Sequence, residues 1–193
     1  MKWGFFGVFV FTFLGSVFVL ARLDLLPEMP SDPTSEGEEV LKSADLNVPT
    51  KIEIPKINLS ANVVNPTTTD VEILDEELLK GAVRYPTSAK LGETGNVVLF
   101  GHSSYLPIVG NQAYKTFNGI QKLVAGDMIT VSSADTAYTY RVRSMMKESA
   151  NDAAIPLSVA GSVLTLSTCD SFGKKTDRFV VVADFVESHS IPS

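Results

Sequence analysis

Val163-Leu164-Thr165-Leu166-Ser167-Thr168-Cys169, followed after a polar interval by Arg178-Phe179-Val180-Val181-Val182, is the stretch that decides how this chain is read. Both segments are dense in β-branched and apolar residues. The interval Asp170-Ser171-Phe172-Gly173-Lys174-Lys175-Thr176-Asp177 has the polar, Gly-containing composition of a loop. Two consecutive antiparallel strands sit about 5 Å apart. The pattern therefore predicts that Cys169, at the end of one strand, lies close to Arg178, at the head of the next.

Cys169 is the only cysteine in the chain. A free cysteine is commonly a small buried hydrophobe, and that plain reading stands beside a catalytic one. Without a second cysteine the chain can hold neither an internal disulfide nor a Cys-rich zinc site. A thiol nucleophile needs a base or a cationic neighbour to keep it as thiolate. Of the two histidines, His189 sits in a polar C-terminal tail, whereas His102 follows the apolar run Asn96-Val97-Val98-Leu99-Phe100 and Gly101. If the thiol is catalytic, His102 is its candidate partner; otherwise His102 is a hydrogen-bonded structural residue. Gly101 fits a place where the backbone turns sharply or lets a substrate approach, and is a candidate substrate-binding position.

The remaining sequence sets the frame. A chain of 193 residues suits one domain with appendages. Its net charge of −6 argues against binding nucleic acid through bulk electrostatics. It contains no Gly-rich phosphate loop and no His/Asp/Glu cluster at metal-ligand spacing, so neither a metal nor an organic cofactor is expected.

Trp3 to Ala21 is uncharged and rich in Phe, Val and Leu, between Lys2 and Arg22. A bilayer core needs about 20 such residues, and the apolar core of a cleaved signal peptide is shorter, about 7–15. Residues 1–21 are therefore expected to be a transmembrane anchor. Val19-Leu20-Ala21 keeps a cleavage site in play as the alternative. Lys2 and the α-amino group precede the span, and beyond Arg22 acids predominate: Glu28, Asp32, Glu36, Glu38, Glu39 and Asp45 against Lys42. That asymmetry predicts a single-pass protein of the cell membrane with a cytoplasmic N-terminus and an extracytoplasmic domain. An unpaired thiol outside the cytosol is a liability unless it is used. Residues 22–49, with Pro27, Pro30 and Pro33 among acids, read as an extended stalk, part of which could form a short helix over Glu38 to Leu46.

From residue 50 to 187 the texture is that of short strands. Lys51-Ile52-Glu53-Ile54-Pro55-Lys56-Ile57-Asn58-Leu59 alternates apolar with polar as a half-buried strand should, and Pro55 suggests a sheet edge or a bulge. Thr69-Asp70-Val71-Glu72 has capping-box spacing and opens a helix through Leu78-Leu79, which Gly81 stops. Further strands are expected at Asn96–Phe100, Met128–Ser132, Tyr138–Val142, Val163–Cys169 and Arg178–Val182. Many short strands with one or two brief helices predict a mostly β fold closed, or nearly closed, into a barrel; residues 188–193 are left as a tail.

These residues resemble one family, the sortases, which are membrane-anchored cysteine transpeptidases. Thr165-Leu166-Ser167-Thr168-Cys169 with Arg178 is similar to the family's T-L-x-T-C signature and downstream arginine. Asn96 to His102 resembles the strand that carries its histidine, Ile54-Pro55-Lys56-Ile57 its first strand, and Gly126-Asp127-Met128-Ile129 its Gly-Asp turn. Gly81 to Pro86 is similar to a G-x-G-H-Y-P stretch, but with Arg84 in place of the histidine. Ser103 to Tyr114 also departs from the common pattern, so the resemblance leaves the subclass open, with a class D- or E-like form expected.

The resemblance implies an eight-stranded sortase barrel in which Cys169 attacks an L-P-x-T-G-like sorting signal at its Thr–Gly bond. His102 moves the proton and Arg178 holds the substrate and steadies the oxyanion. The thioacyl-enzyme then passes to an amine of a peptidoglycan precursor or of a pilin lysine. Its protein partners would be surface proteins or pilins bearing sorting signals. Thr168 could supply a hydroxyl or an N–H near the oxyanion, or could simply fill a strand position. The acids Asp70, Glu72, Asp75, Glu76 and Glu77 could suggest a calcium site, but read better as a solvated helix face. Two other readings keep the barrel: a membrane-tethered binding module with Cys169 and His102 packed away, and a thiol hydrolase that releases the acyl group to water.

Overall fold

The computed structural model describes residues 46–149, 155–171 and 174–191. The apolar stretch Trp3 to Ala21 and the stalk up to residue 45 lie outside them. Among the described residues no helix is long and apolar enough to cross a membrane.

Eight strands close into a barrel: β1 (Lys51–Ile54), β2 (Leu59–Val64), β3 (Ala82–Arg84), β4 (Gly95–Phe100), β5 (Met128–Ser132), β6 (Thr136–Ser149), β7 (Ser162–Ser171) and β8 (Lys174–Ser190). Around the wall they run β1-β2-β3-β4-β7-β8-β6-β5, and β5 pairs with β1 to shut the ring. One α-helix, α1 (Val71–Leu78), crosses from β2 to β3, which pair in parallel as such a crossover requires. The described residues also hold three single turns of 3-10 helix, at Pro55–Ile57, Gln112–Lys115 and Ile120–Lys122.

Alternation fills the interior. Ile52 and Ile54 of β1, Val97 and Leu99 of β4, Leu164 and Leu166 of β7, and Val181 and Ala183 of β8 meet in one core, plugged by Phe117 and Ile120. Unlike a half-solvated strand, β7 is buried on both faces, Val163 and Thr165 included. Residues 155–160 share a hollow with Val163 and Thr165 on its outer face and are fastened to β4, where Asn96 donates its backbone N–H to the Leu157 carbonyl (3.0 Å) and its Nδ2 to the Pro156 carbonyl (2.8 Å). That double burial explains the near-continuous apolar character of the run ending in Cys169.

Several expectations need correction. The run Lys51–Leu59 is not one strand. Pro55 opens a 3-10 turn, Asn58 takes a left-handed conformation (φ 52°), and the chain reverses into β2. Proline suits the first position of that turn because its fixed φ is already helical and its missing N–H is not needed there. The helix is capped by Asp70, not Thr69: the Asp70 carboxylate accepts the N–H groups of Glu72 (3.0 Å) and Ile73 (3.2 Å). Gly81 does not cap it; a side chain there would strike the Asn62 carbonyl at 2.5 Å, so Gly81 lets β3 come up against β2. The interval between Cys169 and Arg178 is shorter than a loop of eight residues, because β7 runs on to Ser171 and β8 begins at Lys174. Arg178 therefore lies inside β8. The same strand continues through Ser188, His189 and Ser190, within the region 188–193 read as a tail, by pairing with Tyr138, Ala137 and Thr136 of β6.

Candidate functional site

The barrel order puts β7 between β4 and β8, and the site follows from that placement. On one side β7 runs parallel to β4, with Phe100 opposite Ser167 as the last register pair. His102 and Cys169 are each two residues beyond it. The Gly101 N–H donates to the Ser167 carbonyl (3.3 Å) and so extends the ladder toward His102. On the other side β7 is antiparallel to β8, with Cys169 directly opposite Arg178. Directly opposed residues in such a ladder have α-carbons about 5 Å apart, as the sequence predicts for this pair.

A cavity of about 630 Å³ opens where these strand ends meet α1. Gly101, His102, Thr168 and Arg178 all line it, so four of the five sequence-predicted residues share one hollow, and the fifth, Cys169, is placed by its backbone pairing with Arg178. The cavity is of the size that holds a small ligand or a short peptide segment. Its far wall is α1, which contributes Leu74, Leu78 and the acids Asp75 and Glu76.

His102 is half-buried and held by its neighbours. Its carbonyl accepts the Phe117 N–H (2.8 Å), and its ring stands against that of Tyr114, centroid to centroid 5.3 Å with the planes 39° apart. Burial pushes the imidazole below its ordinary value of 6.5, while the nearby Asp75 carboxylate acts in the opposite sense. The neutral form, able to accept a proton, is thereby favoured. Tyr114 comes from the 3-10 turn Gln112–Lys115, whose cap Asn111 accepts the Ala113 N–H (2.9 Å) through Oδ1 and donates its Nδ2 to the Leu79 carbonyl just beyond α1 (2.8 Å). The wall that carries Asp75 and the loop that carries Tyr114 are thus tied together around His102.

Gly101 owes its identity to packing. A β-carbon there would lie 2.9 Å from Cγ of the Phe117 ring, which is fully buried. Thr168 is also buried, and its Oγ1 has no hydrogen-bond partner among the described residues. A buried hydroxyl without a partner is costly, and this one belongs to a residue that lines the cavity. Beside Arg178, Asp177 is paired with Lys147 of β6 at 3.2 Å.

Other residues singled out in the sequence fall elsewhere. Arg84, in the place of the expected histidine, is buried and structural: its guanidinium donates to Asn65 Oδ1 (3.1 Å) and to the carbonyl of Ser88 (2.6 Å). His189 lies in β8 opposite Ala137. No group of three or more potential metal ligands occurs among the described residues. Sequence reasoning missed Tyr114 and Asp75 as neighbours of His102. Tyr114 gave no signal, since ring contact depends on a loop fold; Asp75 was visible as an acid on α1, but not its facing.

Comparison with known proteins agrees with this architecture. The family model described as the sortase domain matches residues 52–186, and the chain belongs to the sortase family. The fold is close to that of sortase C-1 from Actinomyces oris (TM-score 0.61, 22% identity, 83% of this chain and 83% of that one). It is also close to sortase A from Listeria monocytogenes (0.59, 23%, 76% and 92%). Sortase E from Streptomyces avermitilis is similar at 25% identity (0.58, 75% and 91%). These structures span several sortase classes and do not select one. No curated protein matches the chain in sequence.

As a sortase, the protein is a cysteine transpeptidase in general terms.

Proposed function

We propose that this protein is a membrane-tethered transpeptidase that cuts an L-P-x-T-G-like sorting signal and passes the protein bearing it to an amine. Cys169, as thiolate, attacks the carbonyl carbon at the Thr–Gly bond and forms a tetrahedral oxyanion beside Arg178. His102, having taken the Cys169 thiol proton to leave the thiolate, gives that proton to the departing glycine nitrogen as the C–N bond breaks and the thioester remains. The incoming amine, from a peptidoglycan precursor or a pilin lysine, attacks that thioester and loses its proton to His102, and the Cys169 thiolate leaves. Arg178 holds the substrate and offers donors to the oxyanion; preorganised donors of this kind contribute about 3–4 kcal/mol each. Thr168 and Gly101 line the same cavity and are the candidate substrate-binding positions.

The observation that carries the reading is the placement of β7 between the strand leading to His102 and the strand holding Arg178. A second hollow of about 410 Å³, between the β7–β8 wall and residues 155–160, includes Ile155, Pro156 and Val159. It supports binding of the apolar residues that precede the scissile bond. The tether rests on the stretch Trp3 to Ala21 in residues 1–21, with residues 22–49 as stalk, residues 50–187 as catalytic domain and residues 188–193 as its C-terminal end. Confinement of enzyme and substrate to one membrane raises their effective concentration without any added contact.

The test is the full chain incubated with sorting-signal peptides, with and without a glycine oligomer or hydroxylamine, and with products read by mass spectrometry. Acyl transfer to the added amine, lost in Cys169→Ala, is expected. Release of free acid alone with the amine present would mean a hydrolase. An unreactive Cys169 that no thiol alkylating agent labels would mean a binding module.

A further inference from the structure

Between β4 and the 3-10 turn Gln112–Lys115, the segment Tyr105-Leu106-Pro107-Ile108 turns four successive apolar side chains to solvent; Tyr105 is 62%, Leu106 50% and Ile108 86% exposed. A contiguous apolar patch on a folded domain marks a surface that meets something. This one is gripped from below. The Ser104 N–H donates to Asn118 Oδ1 (2.8 Å), Asn118 Nδ2 donates to the Ser104 carbonyl (2.9 Å), the Leu106 N–H donates to Ser104 Oγ (3.2 Å), and Lys115 Nζ donates to the Pro107 carbonyl (3.0 Å). The polar bonds hold the base of the loop and leave its apolar tip outward.

The charge around the tip is one-sided. Tyr105, Leu106 and Pro107 share a hollow of about 590 Å³ with Lys56, Lys115 and Lys122, and no acidic side chain lines it. Asp127 reaches Lys56 Nζ at 3.4 Å from outside that lining. On a chain of net charge −6 this is a cationic rim around a hydrophobic point.

We propose that this loop is a second membrane contact: Tyr105 to Ile108 enters the interfacial layer of an anionic bilayer while Lys56, Lys115 and Lys122 meet the phosphodiester headgroups. The composition matches that environment from both sides. Tyrosine favours the membrane–water boundary, lysines lay their stems along apolar material with the ammonium among headgroups, and an apolar face beside cations is what binds reversibly to anionic lipid. A second copy of the chain fits poorly, because a two-fold contact through this face brings like-charged lysines together. The inference concerns a surface outside the cavity of Arg178; it rests on the proposed membrane tether and not on the transpeptidase chemistry.

The test uses the full chain with Trp3→Phe and Tyr105→Trp, reconstituted into vesicles whose acyl chains are brominated near the headgroup. In vesicles containing phosphatidylglycerol the introduced indole is expected to be quenched. Replacing that lipid by phosphatidylcholine, or adding Lys56→Gln with Lys122→Gln, should weaken docking by about fivefold per lysine, about 25-fold for the pair. Absence of quenching in anionic vesicles overturns the proposal. So does quenching of equal strength in phosphatidylcholine and in the lysine variant. Blue-shifted emission without quenching would report a protein covering the loop, and would also overturn it.

Discussion

Gly101→Ala puts the coupling between core and site to a direct test. An added β-carbon would stand 2.9, 3.0 and 3.1 Å from Cγ, Cδ2 and Cδ1 of the Phe117 ring. Ordinary carbon contacts are about 3.5–4.0 Å, so either the ring or the end of β4 must give. Phe117 has nowhere to go, being fully buried in the barrel core. Its N–H also holds the His102 carbonyl at 2.8 Å, so any displacement of Phe117 pulls on His102. Overpacking of this kind costs about 1–3 kcal/mol. At about 3 °C per kcal/mol for a domain of this size, Tm should fall by roughly 3–9 °C. A displacement of about 1 Å at a reacting group can cost around 100-fold in rate, so kcat/KM should fall by more than stability alone explains. Thermal unfolding by circular dichroism and transpeptidation kinetics on the same preparations measure both. Phe117→Leu should relieve the clash, making the double variant more stable than Gly101→Ala alone, with a coupling of about 0.5–3 kcal/mol. Wild-type Tm and rate for Gly101→Ala, or strict additivity in the cycle, would refute the close-approach argument.

Arg178→Lys should lower kcat/KM about 100-fold or more with Tm little changed, since an ammonium cannot reproduce two planar donors at an oxyanion; a rate near wild type would remove Arg178 from its proposed role. Asp70→Ala deletes the cap that accepts two N–H groups of α1 and should cost about 1 kcal/mol in denaturant unfolding. His102 has its pKa lowered on folding, so the unfolded chain binds more protons below the ordinary value of 6.5. The stability owed to neutral His102 is therefore complete above that value and declines as pH falls through it toward the folded pKa. His102→Gln should flatten that part of the stability profile. Asp75→Asn should move the imidazole resonance titration in NMR lower still, and a shift upward would contradict the assigned influence of Asp75.

What could be read from the sequence was whatever depends on neighbours along the chain. Met128–Ser132 is strand β5 to the residue, because strict alternation reports which face is buried, and Leu164 and Leu166 are core as the large apolar members of a run buried on both faces. The juxtaposition of Cys169 with Arg178 was legible for the same reason: the two runs are consecutive, so their pairing needs only a turn. What escaped depends on partners far away. The three residues of β3 carry no periodicity of their own and are a strand because Val63 and Phe100 lie beside Ala82 and Val83. Arg143 lies just past the expected strand Tyr138–Val142, yet β6 runs on and carries it to the Asp184 carboxylate across the sheet. The polar residues Ser188, His189 and Ser190, left as part of a tail, form a solvent-exposed stretch of strand held by its ladder to β6. Around His102, the ring contact with Tyr114 and the presence of Asp75 arise from loop closure and helix facing, which local pattern does not encode.

Closure of the ring has a consequence for recognition. Every strand is flanked on both sides, and β7 in particular has β4 along one margin and β8 along the other. An extended peptide cannot join such a wall by adding itself as one more strand, since no row of unclaimed amides is on offer there. On the proposed reading, selectivity comes instead from side chains that rise off the wall and from the segments beside it, so exchanging residues 155–160 or the approach beside α1 should retarget the protein while its frame stays as it is.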